Sequence, residues 1–194
     1  MIGPVITCRP TAPLRSGGVV LLGQAPGRYE GKVGRPFGWT AGRTLFRWLA
    51  QAGHDETTVR AHVYIAAVCR CFPGSSSSGS GDRVPDSREV AACAPWLDAE
   101  LGGLDPDLLI PVGRLALSTW LDPKAPLETL VGRVHTATVA GRRREILPLP
   151  HPSGVSTWFQ RSPGRERLAE ALDRLAEHRA WRDLVSAEPQ PGTS

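Results

Sequence analysis

Short runs of consecutive apolar residues, each cut off by glycine or proline, alternate along the chain with segments in which apolar residues recur every three or four positions. The first pattern is that of a strand buried on both faces, and the second that of a helix with one apolar stripe. Strands are predicted at Val19–Leu22, Val63–Val68, Leu108–Val112 and Ile146–Leu149. Helices are predicted over about Thr40–Ala52, with Leu45, Leu49 and Ala50 on one face, and over Arg88–Leu101, with Val90, Cys93, Leu97 and Leu101 aligned. A third leads from Gly113 to near Trp120, and a last one, Arg165–Ala187, aligns Leu168, Leu172, Leu175 and Ala176. Alternation of the two patterns predicts an α/β fold, three-layer α/β/α with a central, mostly parallel four-stranded sheet. The 194 residues suit a single domain over 1–187. Ser75–Gly81 is a polar, low-complexity stretch expected to be a mobile insertion, and Glu188–Ser194 a frayed tail.

Composition narrows the setting. Apolar runs such as Val19-Val20-Leu21-Leu22 end far short of the roughly 20 residues that a membrane span needs. Met1–Pro10 lacks the basic segment, apolar stretch and cleavage site of a secretion leader, so a cytoplasmic, nucleoid-associated monomer is expected. The formal charge is +4, and of the 23 basic residues only Lys32 and Lys124 are lysine. An arginine excess of this kind fits a nucleic-acid partner, because the planar guanidinium pairs with phosphate through two hydrogen bonds. It fits a GC-rich genome that spells basic residues as arginine equally well.

Three segments carry candidate chemistry: Gly23-Gln24-Ala25-Pro26-Gly27 after the first predicted strand, Gly34-Arg35-Pro36-Phe37 soon after it, and His151-Pro152-Ser153 after the last strand. In an open parallel sheet, ligands collect at the carboxyl ends of the strands, so segments distant in sequence can line one crevice. The first offers backbone N–H groups that small residues leave uncovered, Phe37 a ring for stacking, and His151 a donor.

Taken together, these segments resemble the uracil-DNA glycosylase superfamily, whose first motif has the form G-(Q/E/L)-x-P and whose second is H-P-S or a variant. The likeness runs from about Gly18 to Gln160, through Val63-Tyr64-Ile65-Ala66-Ala67-Val68 with Cys71, Ala92-Cys93-Ala94-Pro95-Trp96-Leu97 and Ile110-Pro111-Val112-Gly113. It is nearest to the iron–sulfur branches numbered four and five. Ala66-Ala67 and Ala99-Glu100-Leu101-Gly102 favour the fifth, whereas Arg28-Tyr29-Glu30 and the spacing of Gly34–Gly42 favour the fourth. The resemblance implies a monofunctional base-excision-repair hydrolase that flips a damaged nucleotide out of DNA and hydrolyses its N-glycosidic bond. His151 would then donate to the departing base, with Gln24 and Ala25 assisting through their backbone N–H groups, and Phe37 would stack on the base.

Departures from the family pattern are also legible. Ala25 stands where the familiar uracil enzymes carry Asp, and Thr40 where the fifth branch carries its own. Glu30 is therefore the candidate for orienting water or stabilising the cationic sugar, its alternative being a surface carboxylate. Ala67 lacks the amide that reads the uracil edge, and Gly27 lacks the tyrosine that excludes thymine, so a permissive pocket that admits deaminated purines such as hypoxanthine and xanthine is expected. Ser153, Val155, Trp158 and Arg161 follow as candidate DNA contacts, with Trp158 serving either as a wedge between bases or as an anchor to the core. Cys71 and Cys93 fall where the branch carries cluster cysteines. With Cys8 and Cys69 they would bind a [4Fe–4S] cluster of structural role, or else all four are packed thiols. The rival reading is a DNA-damage binding protein of the same fold that has lost catalysis, suggested by Ala25 and Thr40.

Overall fold

The computed structural model describes residues 18–76, 81–154 and 156–185. The expected tail 188–194, most of the Ser/Gly stretch, Cys8 and Val155 lie outside the described residues. Five strands, β1 (Val19–Gly23), β2 (Tyr64–Ala67), β3 (Leu108–Pro111), β4 (His135–Val139) and β5 (Arg142–Ile146), form one sheet in the order β2-β1-β3-β5-β4. The pairs β1–β2, β1–β3 and β3–β5 are parallel, and only β4–β5 is antiparallel. The helices are α1 (Glu30–Val33), α2 (Thr40–Gln51), α3 (Glu56–His62), α4 (Ser87–Leu104), α5 (Arg114–Leu117), α6 (Leu127–Leu130), α7 (Gly164–Glu177) and α8 (Arg179–Arg182).

The central strands are apolar at every position because both of their faces are covered. Val19, Leu21, Ile65, Leu108 and Ile110 point to the side packed by Leu45 and Leu49 of α2, Val59 of α3, Leu172 and Leu175 of α7 and Trp181 of α8. Val20, Leu22, Tyr64, Ala66 and Leu109 point to the opposite side, against Leu97 and Leu101 of α4 and Ala116 of α5. The three-layer expectation therefore holds, and burial of each such leucine is worth about 1.5–3 kcal/mol.

The sheet has five strands rather than the expected four, because β4 and much of β5 carry charged and polar residues that do not read as core. His135-Thr136-Ala137-Thr138-Val139 lies at the sheet edge, and in Arg142-Arg143-Arg144-Glu145-Ile146 only Ile146 is buried. Charged side chains are what an edge strand needs to resist pairing with another chain. Ala140 and Gly141, both at positive φ, close the two-residue turn between them, as the twist of a tight hairpin requires. Asp105 receives Arg142 (2.8 Å) and Arg144, which fastens the hairpin to the end of α4. The expected strand Ile146–Leu149 begins earlier than predicted, although Leu147 and Leu149 still donate to the carbonyls of Leu109 and Pro111.

The last helix also departs from expectation. Its stripe of Leu168, Leu172 and Leu175 is buried as read, but the helix stops at Glu177 because His178 is extended and caps α8 by accepting from the Ala180 N–H. That break turns Trp181 back into the core. Its indole N–H donates to the Ala52 carbonyl (2.8 Å), while the His54 ring nitrogen bonds the Trp181 carbonyl (2.8 Å). Removing this anchor with Trp181→Ala should cost about 3–5 kcal/mol of stability, read as a lowered urea midpoint. A midpoint within error of the parent protein would show that α8 does not hold the α2–α3 corner.

Candidate active site

The strand order places β2 and β3 on opposite sides of β1, so the chain reverses its direction of winding there and the carboxyl end of β1 opens a crevice. A cleft of about 740 Å³ occupies this position. Gly23–Glu30, Phe37, Ala66, Ala67, Val112, His151 and Ser153 line it, which brings the three predicted segments together.

The Phe37 loop is held from several sides. Its backbone N–H donates to Glu30 Oε1 (2.8 Å), and Arg60 of α3 donates through Nη1 to the Pro36 carbonyl (3.1 Å). Phe37 itself has φ +53°, a left-handed conformation uncommon for a bulky residue. The first turn of α2 fits beneath it only because residue 42 is glycine: a Cβ there would lie 1.7 Å from the Phe37 carbonyl oxygen. The ring covers the end of β1, where a Cβ on Gly23 would meet Phe37 Cζ at 2.9 Å.

His151 is mostly buried, and that burial lowers its pKa below the ordinary histidine value. Nδ1 accepts the Ser153 backbone N–H (3.2 Å) and lies 2.9 Å from Ser153 Oγ, so in the neutral ring the proton sits on Nε2. The ring packs over Gly113, whose φ of +87° and missing side chain make the approach possible; a Cβ would be 2.8 Å from His151 Cδ2. The result is a neutral donor with fixed orientation.

Glu30 is the second titratable group. Burial raises its pKa most, hydrogen bonds to the backbone of Gly27 and Phe37 pull it down, and the charge of Asp82 raises it further. Asp82 was not a sequence candidate. It closes the Ser/Gly tract, and its only signal there is the charged pair Asp82-Arg83. In the fold it lines the cleft, accepts the Arg28 backbone N–H (3.2 Å) and approaches Gly27 so closely that a Cβ there would sit 3.1 Å from its carboxylate. Ser75 takes the Arg28 guanidinium, so the first residue of the tract and the residue just after it clasp the turn after β1.

Other candidates are placed as follows. Gln24, Ala25, Gly27 and Ala67 all line the cleft, as do Ser153 and Thr40. Trp158 does not. It packs on the core beside Gly164, where a Cβ would lie 2.1 Å from the Trp158 carbonyl oxygen, and its neighbour Phe159 meets Trp48 edge-on at 4.9 Å. This half-buried packing is what the anchor reading expects. Arg161 is exposed just beyond it. Cys69 is buried beneath α4; burial and a hydrogen bond with Cys93 push its thiol up to about 12, with Cys71 adding a smaller electrostatic effect. Among the described residues, no three of histidine, cysteine, aspartate and glutamate are arranged to hold a metal ion. Between the cysteines, Arg70 and Tyr64 both bond Glu100, which gives that glutamate a structural role.

Residues 11–176 match the model of the uracil DNA glycosylase superfamily. A type-4 uracil-DNA glycosylase of Thermotoga maritima is 33% identical over 135 residues, 70% of this chain and 64% of its own length. Another, of Pyrobaculum aerophilum, is 32% identical over 142 residues, covering 71% and 67%. A type-5 uracil-DNA glycosylase of Thermus thermophilus is 32% identical over 114 residues, 53% of this chain and 49% of its own. The chain thus aligns with about two thirds of the length of its type-4 relatives. With the doubly wound sheet and the motif residues converging on one cleft, the chain belongs to the uracil-DNA glycosylase superfamily, in the region of its types 4 and 5.

Proposed function

We propose that this protein is a DNA-repair glycosylase that hydrolyses the N-glycosidic bond of uracil in DNA. The observation that carries this reading is the convergence of a half-buried histidine with its pKa lowered, a stacking ring and a half-buried carboxylate in one cleft at the end of β1. The cleft is large enough for a base, and in DNA a base becomes available to such a site when its nucleotide swings out of the stack, so DNA containing damaged bases is the proposed substrate and extrusion precedes chemistry. Phe37 stacks on the base. As the bond breaks, negative charge gathers on the base oxygen and positive charge on the sugar. His151 meets the first through Nε2–H, with backbone N–H groups near Gln24 and Ala25, and Glu30 meets the second or orients the water. Ser153 sets the histidine tautomer, while the arginine-rich surface that includes Arg161 meets phosphate. Ala67 and Gly27 leave the base edge without a side-chain test, so hypoxanthine and xanthine join uracil as proposed substrates.

Excision assays on single-stranded and mismatched oligonucleotides bearing each base test this directly. Release of uracil with formation of abasic sites is expected, whereas retained binding without abasic sites would select the damage-binding alternative. His151→Ala should lower the single-turnover rate about a hundredfold or more with affinity little changed, the pattern of a lost transition-state donor. An unchanged rate would remove the role.

The titrations give a second check. Glu30 has a folded pKa above 4.5, so a step that uses its carboxylate gains rate as pH rises through that raised value. The same shift opposes folding: the unfavourable term is absent below about 4.5 and grows as pH rises through the folded value. His151 has a folded pKa below 6.5, so the rate that needs the neutral donor falls only as pH drops through that lowered folded value, whereas its effect on stability sets in as pH drops below 6.5. Glu30→Gln should flatten the part of the acid limb that Glu30 contributes in a pH–rate profile. A limb identical to that of the parent protein would assign it to His151 alone.

An iron–sulfur cluster would draw on Cys69, Cys71 and Cys93 with Cys8, and would brace the β2–α4 junction without entering the reaction. Cys93 and Cys71 both act on the Cys69 thiol, while among the described residues no group of three ligands is arranged to hold a metal ion. Protein treated with a chelator is expected to keep its folding midpoint and its excision rate. Loss of iron and acid-labile sulfide together with a lowered midpoint would instead show a cage completed by Cys8.

A further inference from the structure

Outside the base pocket, the most conspicuous feature is a pair of aromatic rings left in solvent at its lip. Tyr29 is 41% exposed and Trp39 51%, yet the two rings lie against each other with centroids 4.8 Å apart and planes inclined by 32°. Both residues also line the cleft. Tyr29 immediately precedes α1, and Trp39 is the extended residue that caps α2. What brings them together is the turn between: Gly34 ends α1 in the left-handed region, and Gly38 lets Val33 close over it, since a Cβ there would be 2.9 Å from Val33 Cγ1. A ring pair whose task was to pin α1 to α2 would be covered. This one leaves about half of its aromatic surface in water, next to Val33 at 40% exposure.

The charges around the pair identify its occupant. Lys32 places its ammonium 5.9 Å from the Tyr29 ring centroid, Arg28 and Arg35 of the same segment are exposed, and the nearby Asp82 carboxylate already accepts the Arg28 backbone N–H. An apolar, flat surface rimmed by cations and continuous with a pocket for an extruded base suits a polyanion whose uncharged parts are planar. We propose that Tyr29 and Trp39 form a stacking platform for an unpaired nucleobase beside the extruded one, so that the protein grips single-stranded or locally opened DNA more tightly than intact duplex. Bases inside a duplex already stack on their neighbours and have no face to offer, whereas a base next to an emptied position does. The platform rests on the DNA-glycosylase reading above and adds to it a preference that the base pocket does not explain.

Binding of a uracil-free single-stranded oligonucleotide, followed by fluorescence anisotropy at low salt, tests the platform without requiring catalysis. Trp39→Ala should weaken this binding about tenfold, as loss of one base–aromatic stack does, with a smaller loss for the same sequence as a duplex. Trp39→Phe should recover most of the affinity. Affinity of Trp39→Ala within twofold of the parent, or equal losses on single strand and duplex, would overturn the proposal. If Trp39→Ala fails to fold by circular dichroism, the parent protein answers instead. Photocrosslinking to an oligonucleotide with 5-iododeoxycytidine beside the uracil should mark Trp39 or Tyr29, and adducts confined to other residues would overturn the platform. The two readings fail separately. Single-strand binding that depends on Trp39 with no abasic sites formed rejects the enzyme and keeps the platform, and normal excision with Trp39→Ala binding unchanged does the reverse.

Discussion

The site depends most on the backbone of one residue, Phe37. Its N–H is taken by the Glu30 carboxylate, its carbonyl rests on the glycine at the start of α2, and Arg60 of α3 holds the carbonyl just before it. These contacts tie α1, α2 and α3 to a loop whose side chain closes over the end of β1. Phe37 sits in a left-handed conformation that would cost about 1–3 kcal/mol if unsupported, so the surrounding contacts must over-determine it. The arrangement makes one carboxylate serve two ends. Glu30 cannot leave Phe37 without losing that hold on the loop, and the same hydrogen bond draws its pKa back down against the burial that raises it.

The opposite wall follows a similar logic with different parts. His151 approaches the backbone at Gly113 because no Cβ intervenes, and Ser153 two residues later fills its Nδ1. Here the sequence order His-Pro-Ser is itself the geometry: the proline removes a backbone donor and stiffens the turn, and the serine N–H reaches back to the ring. The partner glycine comes from the end of another strand, 38 positions earlier in the chain. Adjacent parallel strands bring the two into register, since Gly113 N–H donates to the Leu149 carbonyl.

How much of this could be read beforehand varies with the physics involved. The central strands declare themselves because burial on both faces leaves no choice but apolar residues, and α2 and α7 because one face is buried and the other is not. The edge hairpin is nearly invisible for the converse reason: β4 and β5 are stabilised by backbone pairing and by Asp105, which ask little of side-chain hydrophobicity. Among site residues, Gln24, Phe37 and His151 lie in segments punctuated by glycine and proline beside predicted strands, and that context marks them. Asp82 has no such context. It enters the cleft through a tract whose composition says only that it cannot form a core, and its proximity to Gly27 is purely tertiary. Trp158 shows the reverse failure. An aromatic pair after the His-Pro-Ser motif reads equally well as wedge or anchor, and the packing of Trp158 beside Gly164 and against the core is a tertiary fact that the sequence does not carry.

Asp82 also changes how the missing aspartates at positions 25 and 40 are to be understood. A carboxylate near a developing sugar cation helps in proportion to its charge and its freedom from water. Glu30 is desolvated, which strengthens its field but also raises the cost of ionising it; Asp82 nearby raises that cost again. The two effects oppose each other in the resting site; in the proposed reaction, positive charge on the sugar would attract both carboxylates and favour the ionised form of Glu30. In the proposed reaction, two carboxylates that disfavour each other in the resting site would therefore gain more from the transition state than from the ground state. This is differential binding in the direction that speeds bond cleavage. Arg28 bonds Asp82 through its backbone rather than neutralising it with its guanidinium, which is engaged by Ser75. In the proposed reaction, the charge lost from the turn after β1 would thus be restored in part by the residue that directly follows the expected Ser75–Gly81 insertion.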